Sequence, residues 1–144
     1  MRFWDSSAVV PLLVEEPPSA AGRSLLAEDP DLVIWWTTPV ECASALWRRH
    51  RAGRLDPEAL DEALEDLALL VGRADEVLPA EGLRERAVRL LAVHALGAAD
   101  ALQLAAALLR SREQAASFGF VSLDARLREA ARREGFAVLP SGAK

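Results

Sequence analysis

Five short apolar runs recur along the chain, with helical stretches between them. They are Phe3-Trp4, Leu32–Trp36, Val77-Leu78-Pro79, Phe118–Leu123 and Phe136–Leu139. Most are rich in β-branched and aromatic residues, and turn signals such as Asp29-Pro30-Asp31 and Gly135 precede two of them. Runs this short and this apolar, separated by helices, predict an α/β fold with a parallel sheet covered on both faces. That one pattern excludes helical bundles and antiparallel sandwiches.

The intervening segments read as helices. Ser6 or Ser7 caps one running to about Glu15, with Pro11 tolerated in its first turn and Pro17-Pro18 as its stop. Ser19–Glu28 forms a second. Thr38-Pro39-Val40-Glu41 opens a third, through about Arg51 and ended by Gly53. Asp56-Pro57-Glu58 opens a fourth, with Leu60, Leu64, Leu67 and Val71 at helical spacing and Gly72 as its stop. Leu83–Ala95 and Ala98–Arg112 are broken at Gly97, and Ala125–Arg133 is the last. A length of 144 residues fits one domain over residues 1–140, with a short fraying tail at 141–144.

Four carboxylates stand where the chain changes direction: Asp5, Glu41, Asp100 and Asp124. Each has a plain structural explanation. Asp5 and Asp124 each end a strand and could cap the next helix. Glu41, three residues after Thr38, completes a capping box with the Thr38 N–H. Asp100 lies in a first helical turn, where the macrodipole favours an acid. Jointly they suggest more, because open parallel sheets bind ligands beyond the carboxyl ends of their strands. Asp100 is the most informative. It is flanked by Ala101, Leu102, Leu104, Ala105, Ala106, Leu108 and Leu109, and a charge beside such a surface is costly unless paired or bound to a cation. Clustered carboxylates raise one another's pKa, and a divalent ion relieves that conflict. A hard cation such as Mg²⁺ wants this oxygen-only donor set.

These residues in this order resemble the PIN-domain family, most closely the VapC-type ribonuclease toxins of toxin–antitoxin pairs. The matching pieces are Phe3-Trp4-Asp5-Ser6-Ser7-Ala8, Pro39-Val40-Glu41 with Ala45-Leu46, Ala98–Ala107 around Asp100, and Val121–Leu127 around Asp124. The resemblance implies a Rossmann-like α/β/α sandwich with a central parallel sheet and an acidic Mg²⁺ or Mn²⁺ site made by Asp5, Glu41, Asp100 and Asp124. It implies an endoribonuclease that hydrolyses RNA phosphodiesters to a 5′-phosphate and a 3′-hydroxyl. Ser6 and Ser122 would hydrogen-bond near the metal or a phosphate. A cognate VapB-type antitoxin and a homodimer are the implied partners.

Other residues carry weaker signals. Arg48 and Arg49, with Arg51 and Arg54, form a basic cluster suited to an RNA backbone or to a helix C-terminus. Trp35 and Trp36 point to opposite sides if both lie in a strand; core packing is expected of both, against the alternative that one stacks on a base or joins a dimer interface, and of Trp47, against filling a dimer or antitoxin groove. Cys42 reads as a small buried residue, and as the only cysteine it can form no internal disulfide, in keeping with a reducing compartment. His94 lacks an orienting partner in the sequence. The net charge of −5 disfavours a passive nucleic-acid binder but not a nuclease that carries cations. No apolar run approaches the roughly 20 residues of a membrane helix, so a cytoplasmic location is the default. Two rival readings remain: a silent PIN-like scaffold for RNA or a partner, and a phosphatase using Asp5 as nucleophile. The only lysine, Lys144, is poorly placed to support the latter.

Overall fold

The computed structural model describes residues 1–142. Five strands, β1 (Arg2–Trp4), β2 (Leu32–Trp35), β3 (Asp75–Val77), β4 (Gly119–Val121) and β5 (Ala137–Leu139), form one sheet in the order β3-β2-β1-β4-β5. Every pairing is parallel, with Phe3 opposite both Val33 and Phe120. Seven α-helices connect them: α1 (Ser6–Leu13), α2 (Ser19–Glu28), α3 (Thr38–Arg51), α4 (Pro57–Arg73), α5 (Glu81–Val93), α6 (Ala98–Arg110) and α7 (Ala125–Arg133).

The period-2 alternation of strand side chains makes this a three-layer sandwich. Phe3, Val33, Trp35 and Phe120 pack against Leu83, Leu90, Leu104, Leu108 and Leu127 of α5, α6 and α7. Trp4, Leu32, Ile34 and Val121 face the other way, onto Val9, Cys42, Ala45 and Leu67 of α1, α3 and α4. Both faces are therefore apolar, which is why the strand runs do not alternate with polar residues. The expected α/β/α arrangement is what the chain adopts.

Several boundaries differ from the sequence reading. The third strand is Asp75–Val77, two residues earlier than expected, in register with Val33–Trp35. Pro79 has no N–H to extend the ladder, and Leu78 is left exposed. Pro11 lies beyond the first turn of α1, and that helix ends at Leu13 rather than Glu15, with Val14 already extended. Gly72 does not stop α4, which runs on to Arg73. Helix α5 starts at Glu81 and ends at Val93, and α6 ends at Arg110, where Arg112 and Glu113 take positive φ angles of 54° and 61°. Pro140, the last residue before the expected tail, is held: its carbonyl accepts from Arg128 Nη2 at 2.8 Å. Ala143 and Lys144 lie outside the described residues. Among the described residues no single helix is long and apolar enough to cross a membrane.

The strand order puts β1 and β4 at the centre of the sheet, with crossovers leaving in opposite directions. This is the switch point at which an open α/β sheet leaves a crevice beyond its carboxyl edge.

Candidate active site

Asp5 follows β1 and occupies the N-cap position of α1, yet its side chain makes no capping bond. It accepts instead from the hydroxyls of Ser7 and of Ser122, the latter at 2.9 Å. The pairing of β1 with β4, continued by Asp5 N–H to the Val121 carbonyl at 3.0 Å, brings Ser122 there across the sheet. Asp5 is 3 % exposed. Burial raises its pKa, the Ser7 and Ser122 hydrogen bonds oppose that rise, and the charges of Glu41 and Asp124 add to it.

Glu41 sits in the first turn of α3, but the capping box with Thr38 does not form. Its Oε2 accepts from Thr37 Oγ1 at 2.8 Å, and Gln103 Nε2 reaches both its oxygens at 3.2 and 3.1 Å. Ser6 Oγ stands between the two acids, 3.4 Å from Asp5 Oδ1 and 3.2 Å from Glu41 Oε1. The carboxylate is thus shared between Thr37, the residue at the helix start, and the Ser6 and Gln103 side chains on the Asp5 side.

Asp100 reaches the same edge by a route the sequence does not reveal. Helices α5 and α6 meet at a bend of 119°, which turns the start of α6 back toward the sheet. One turn further on, Gln103 bonds both Glu41 and Thr38 Oγ1, the latter at 3.1 Å, fixing this end of α6 against the start of α3. Partial burial, then the charges of Asp124, Asp5 and Glu41, push the pKa of Asp100 up to about 6. Asp124 both caps α7, accepting from Leu127 N–H at 3.0 Å, and contributes to this field. For it, capping the helix and adding to the acid cluster are compatible.

The four expected acids therefore lie close enough to act on one another's charge, and both expected serines hydrogen-bond within that cluster. Four further residues organise it. Ser7 braces Asp5 and accepts from Leu123 N–H at 2.9 Å. Thr37 and fully buried Gln103 hold Glu41. Buried Arg128 donates to the carbonyls of Ser122 and Leu139 at 2.6 and 3.0 Å, fixing the loop that carries Ser122 and Asp124. Gln103 had a readable signal, since it is polar, three residues after Asp100, and inside an apolar run. Arg128 had none, because its acceptors are backbone carbonyls, which carry no residue-specific mark in the sequence.

Among the described residues, no three His, Cys, Asp or Glu side chains are placed to hold one ion between them. The donors are nevertheless all oxygen, and two of the four acids have raised pKa values. That suits a cation held by one or two carboxylates with its remaining positions filled by water. Cys42 is fully buried and its thiol is pushed up to about 12, first by burial and then by Glu41 and Asp5, so it is no thiolate ligand.

A groove of about 580 Å³ opens beside Glu41, lined by Ser6, Ser7, Ser44, Arg48 and Arg49. The two arginines are not equivalent. Arg49 is committed to Glu16, with bonds of 2.8 and 3.1 Å, whereas among the described residues Arg48 hydrogen-bonds only the Ser44 hydroxyl, at 3.0 Å. The tryptophans also part company. Trp35 is core, but Trp36 is 53 % and Trp47 42 % exposed, so core packing fails for both. Strand β2 ends at Trp35, which leaves Trp36 beyond the sheet; Trp47 lies edge-on to His50 at the surface. His94 does have a partner: its Nε2 is 2.6 Å from Glu134.

The sequence matches the PIN domain family model over residues 2–133. No curated protein matches it. Among solved structures, it is similar to the VapC20 toxin of Mycobacterium tuberculosis, described as cleaving the sarcin–ricin loop. There the TM-score is 0.66 at 18 % identity, covering 90 % of this chain and 95 % of that one. FitAcB of Neisseria gonorrhoeae gives a TM-score of 0.65 at 19 % identity, covering 96 % of both chains. A toxin–antitoxin complex from Klebsiella pneumoniae gives 0.61 at 14 %, covering 86 % and 87 %.

Proposed function

The chain belongs to the PIN domain family, and from that premise we propose that it is a divalent-metal-dependent endoribonuclease, the toxin of a VapBC-type toxin–antitoxin pair. The observation that carries the reading is the convergence of Asp5, Glu41, Asp100 and Asp124 on one strand edge, where their charges oppose one another. A protein gains nothing in stability from such a cluster; a cation-dependent reaction at a phosphate gives it a use.

Of Asp5, Asp100, Asp124 and Glu41, one or two would hold Mg²⁺ or Mn²⁺ directly and the others through its bound waters. The bound ion would polarise the phosphate and ease ionisation of the attacking water. The chain's own residues supply the positioning. Ser7 and Ser122 keep Asp5 in one orientation, and Ser6, Thr37 and Gln103 do the same for Glu41. Asp100 makes no side-chain hydrogen bond among the described residues and so stays open to a ligand. Arg48, beside the crevice, is placed to meet a phosphate of the bound strand.

A cognate antitoxin would silence the site by covering the crevice, with an arginine of that partner paired to the carboxylates. The toxin–antitoxin assemblies among the similar structures support this partner, and a homodimer is proposed on the family resemblance alone. A phosphatase with Asp5 as nucleophile fits less well, because Asp5 is buried and both its oxygens already accept hydrogen bonds. The test is cleavage of total RNA by the purified chain with Mn²⁺ or Mg²⁺, with the cut ends mapped, beside Asp100→Asn. The reading expects cuts bearing 5′-phosphates that vanish in the variant and on chelation. Metal-dependent RNA binding without cuts would instead make the chain a scaffold.

A further inference from the structure

A second hollow lies next to the acids. Its volume is about 500 Å³, within the range of small-ligand pockets, and it is lined by Trp35, Trp36, Thr37, Pro79, Arg84 and Leu102. Trp35 and Trp36 come from the end of β2, Pro79 and Arg84 from the stretch after β3, and Leu102 from the first turns of α6. The hollow therefore opens at the same carboxyl edge as the acids, displaced along the sheet from β1 toward β2 and β3. Neighbouring strands are about 4.8 Å apart, so that displacement is only one or two strand spacings. Thr37 joins the two places directly: it lines the hollow and donates to Glu41 at 2.8 Å.

We infer that this hollow is a base-binding subsite, taking the unstacked base of the nucleotide next to the scissile phosphate, with Trp36 as its stacking platform. This rests on the nuclease reading. Trp36 offers a wide ring half in water, and sequence-tolerant stacking on such rings is how single strands are gripped. Arg84 is exposed and forms no ion pair among the described residues, so its guanidinium plane is available to a base face or edge. Glu81 also lines the hollow. Its charge disfavours a phosphate there and leaves the base as the part of a nucleotide that fits. The groove holding Arg48 and Ser44 has the opposite character and suits the backbone. A strand crossing Glu41 would thus meet phosphate-binding groups in one hollow and an aromatic surface in the other.

The experiment uses the full chain, its Trp36→Ala and Trp36→Phe variants, and a single-stranded RNA oligonucleotide containing one mapped cut site. A matching oligonucleotide carries an abasic residue beside that site. Stacking of this kind corresponds to roughly a tenfold effect. Trp36→Ala should raise KM about tenfold with kcat changed far less, Trp36→Phe should recover most of the loss, and the abasic substrate should impose the same penalty on the wild type. Combining Trp36→Ala with the abasic substrate should cost no more than either alone. Cleavage by the wild type with multiplicative effects, or with none, overturns the subsite and leaves the nuclease reading standing. If the wild type cuts no RNA, the nuclease reading fails, and fluorescence titration with the intact oligonucleotide decides the subsite. Quenching lost in Trp36→Phe supports it; quenching equal in both chains overturns it. A dimer that dissociates on Trp36→Ala with RNA affinity unchanged would make this a protein interface, and would also overturn it.

Discussion

Asp5 and Asp100 carry the same functional group to the same crevice, and the chain treats them in opposite ways. Asp5 is nearly sealed and sits in a cage of hydroxyls supplied by Ser6, Ser7 and Ser122. Asp100 is half-buried, has no side-chain hydrogen bond among the described residues, and carries the raised pKa of a group whose charge is opposed. One acid is held by the protein; the other waits for something the protein does not supply. The difference suggests a division of labour, with a fixed ligand that sets geometry and an open one whose charge is relieved on binding.

The largest effect that could break this contrast concerns activity. Asp5→Asn and Asp100→Asn should each lower metal-dependent cleavage by at least about a hundredfold, since even groups behind metal ligands cost 10–100-fold. A chain that kept its cleavage without Asp100 would remove the contrast altogether. Next is Gln103→Leu, which leaves buried Thr38 and Glu41 without their amide donor. We expect a loss of about 1–3 kcal/mol in stability, read by chemical denaturation, and about tenfold in activity.

Stability sharpens the contrast further. The pKa of Asp100 is raised in the folded chain, so the stabilising contribution of its protonated form is fully present below the unfolded pKa. It is lost as pH rises from about 4 through about 6. At pH 7 without metal, Asp100→Asn should therefore be more stable than the parent by about 1 kcal/mol after allowance for solvent screening, or a few degrees in Tm. Asp5→Asn should gain less, because burial raises the Asp5 pKa too, but its hydroxyl donors would then face an amide. Equal shifts of one sign in both variants would contradict unequal support. The smallest effect separates the arginines. Arg49→Ala should cost about 0.5 kcal/mol of stability by losing Glu16, whereas Arg48→Ala should leave stability unchanged and weaken RNA binding, with a salt slope about one unit lower.

The sandwich was legible because buried parallel strands need apolar residues on both faces, and runs such as Leu32–Trp35 advertise that need. Turn chemistry was less legible. Glu41 satisfied the local rule for a capping box, but Ser6 and Gln103, 35 and 62 residues away, compete for the same carboxylate and win. Asp100 could be flagged by its apolar surroundings, yet the 119° bend that delivers it depends on packing between α5 and α6. Trp35 and Trp36 are chemically identical, and only the end of β2, fixed by pairing with β3, decides which becomes core. Arg128 was invisible for a related reason: its partners exist only once β4 and β5 lie side by side.

Calorimetric titration of the metal-free chain with Mn²⁺ at pH 7 most directly probes whether the acids act as one cation centre. Binding should appear in the parent, weaken markedly below about pH 6 as Asp100 takes up its proton, and disappear in both Asp5→Asn and Asp100→Asn. Undiminished binding in Asp100→Asn, or no binding by the parent, would contradict it.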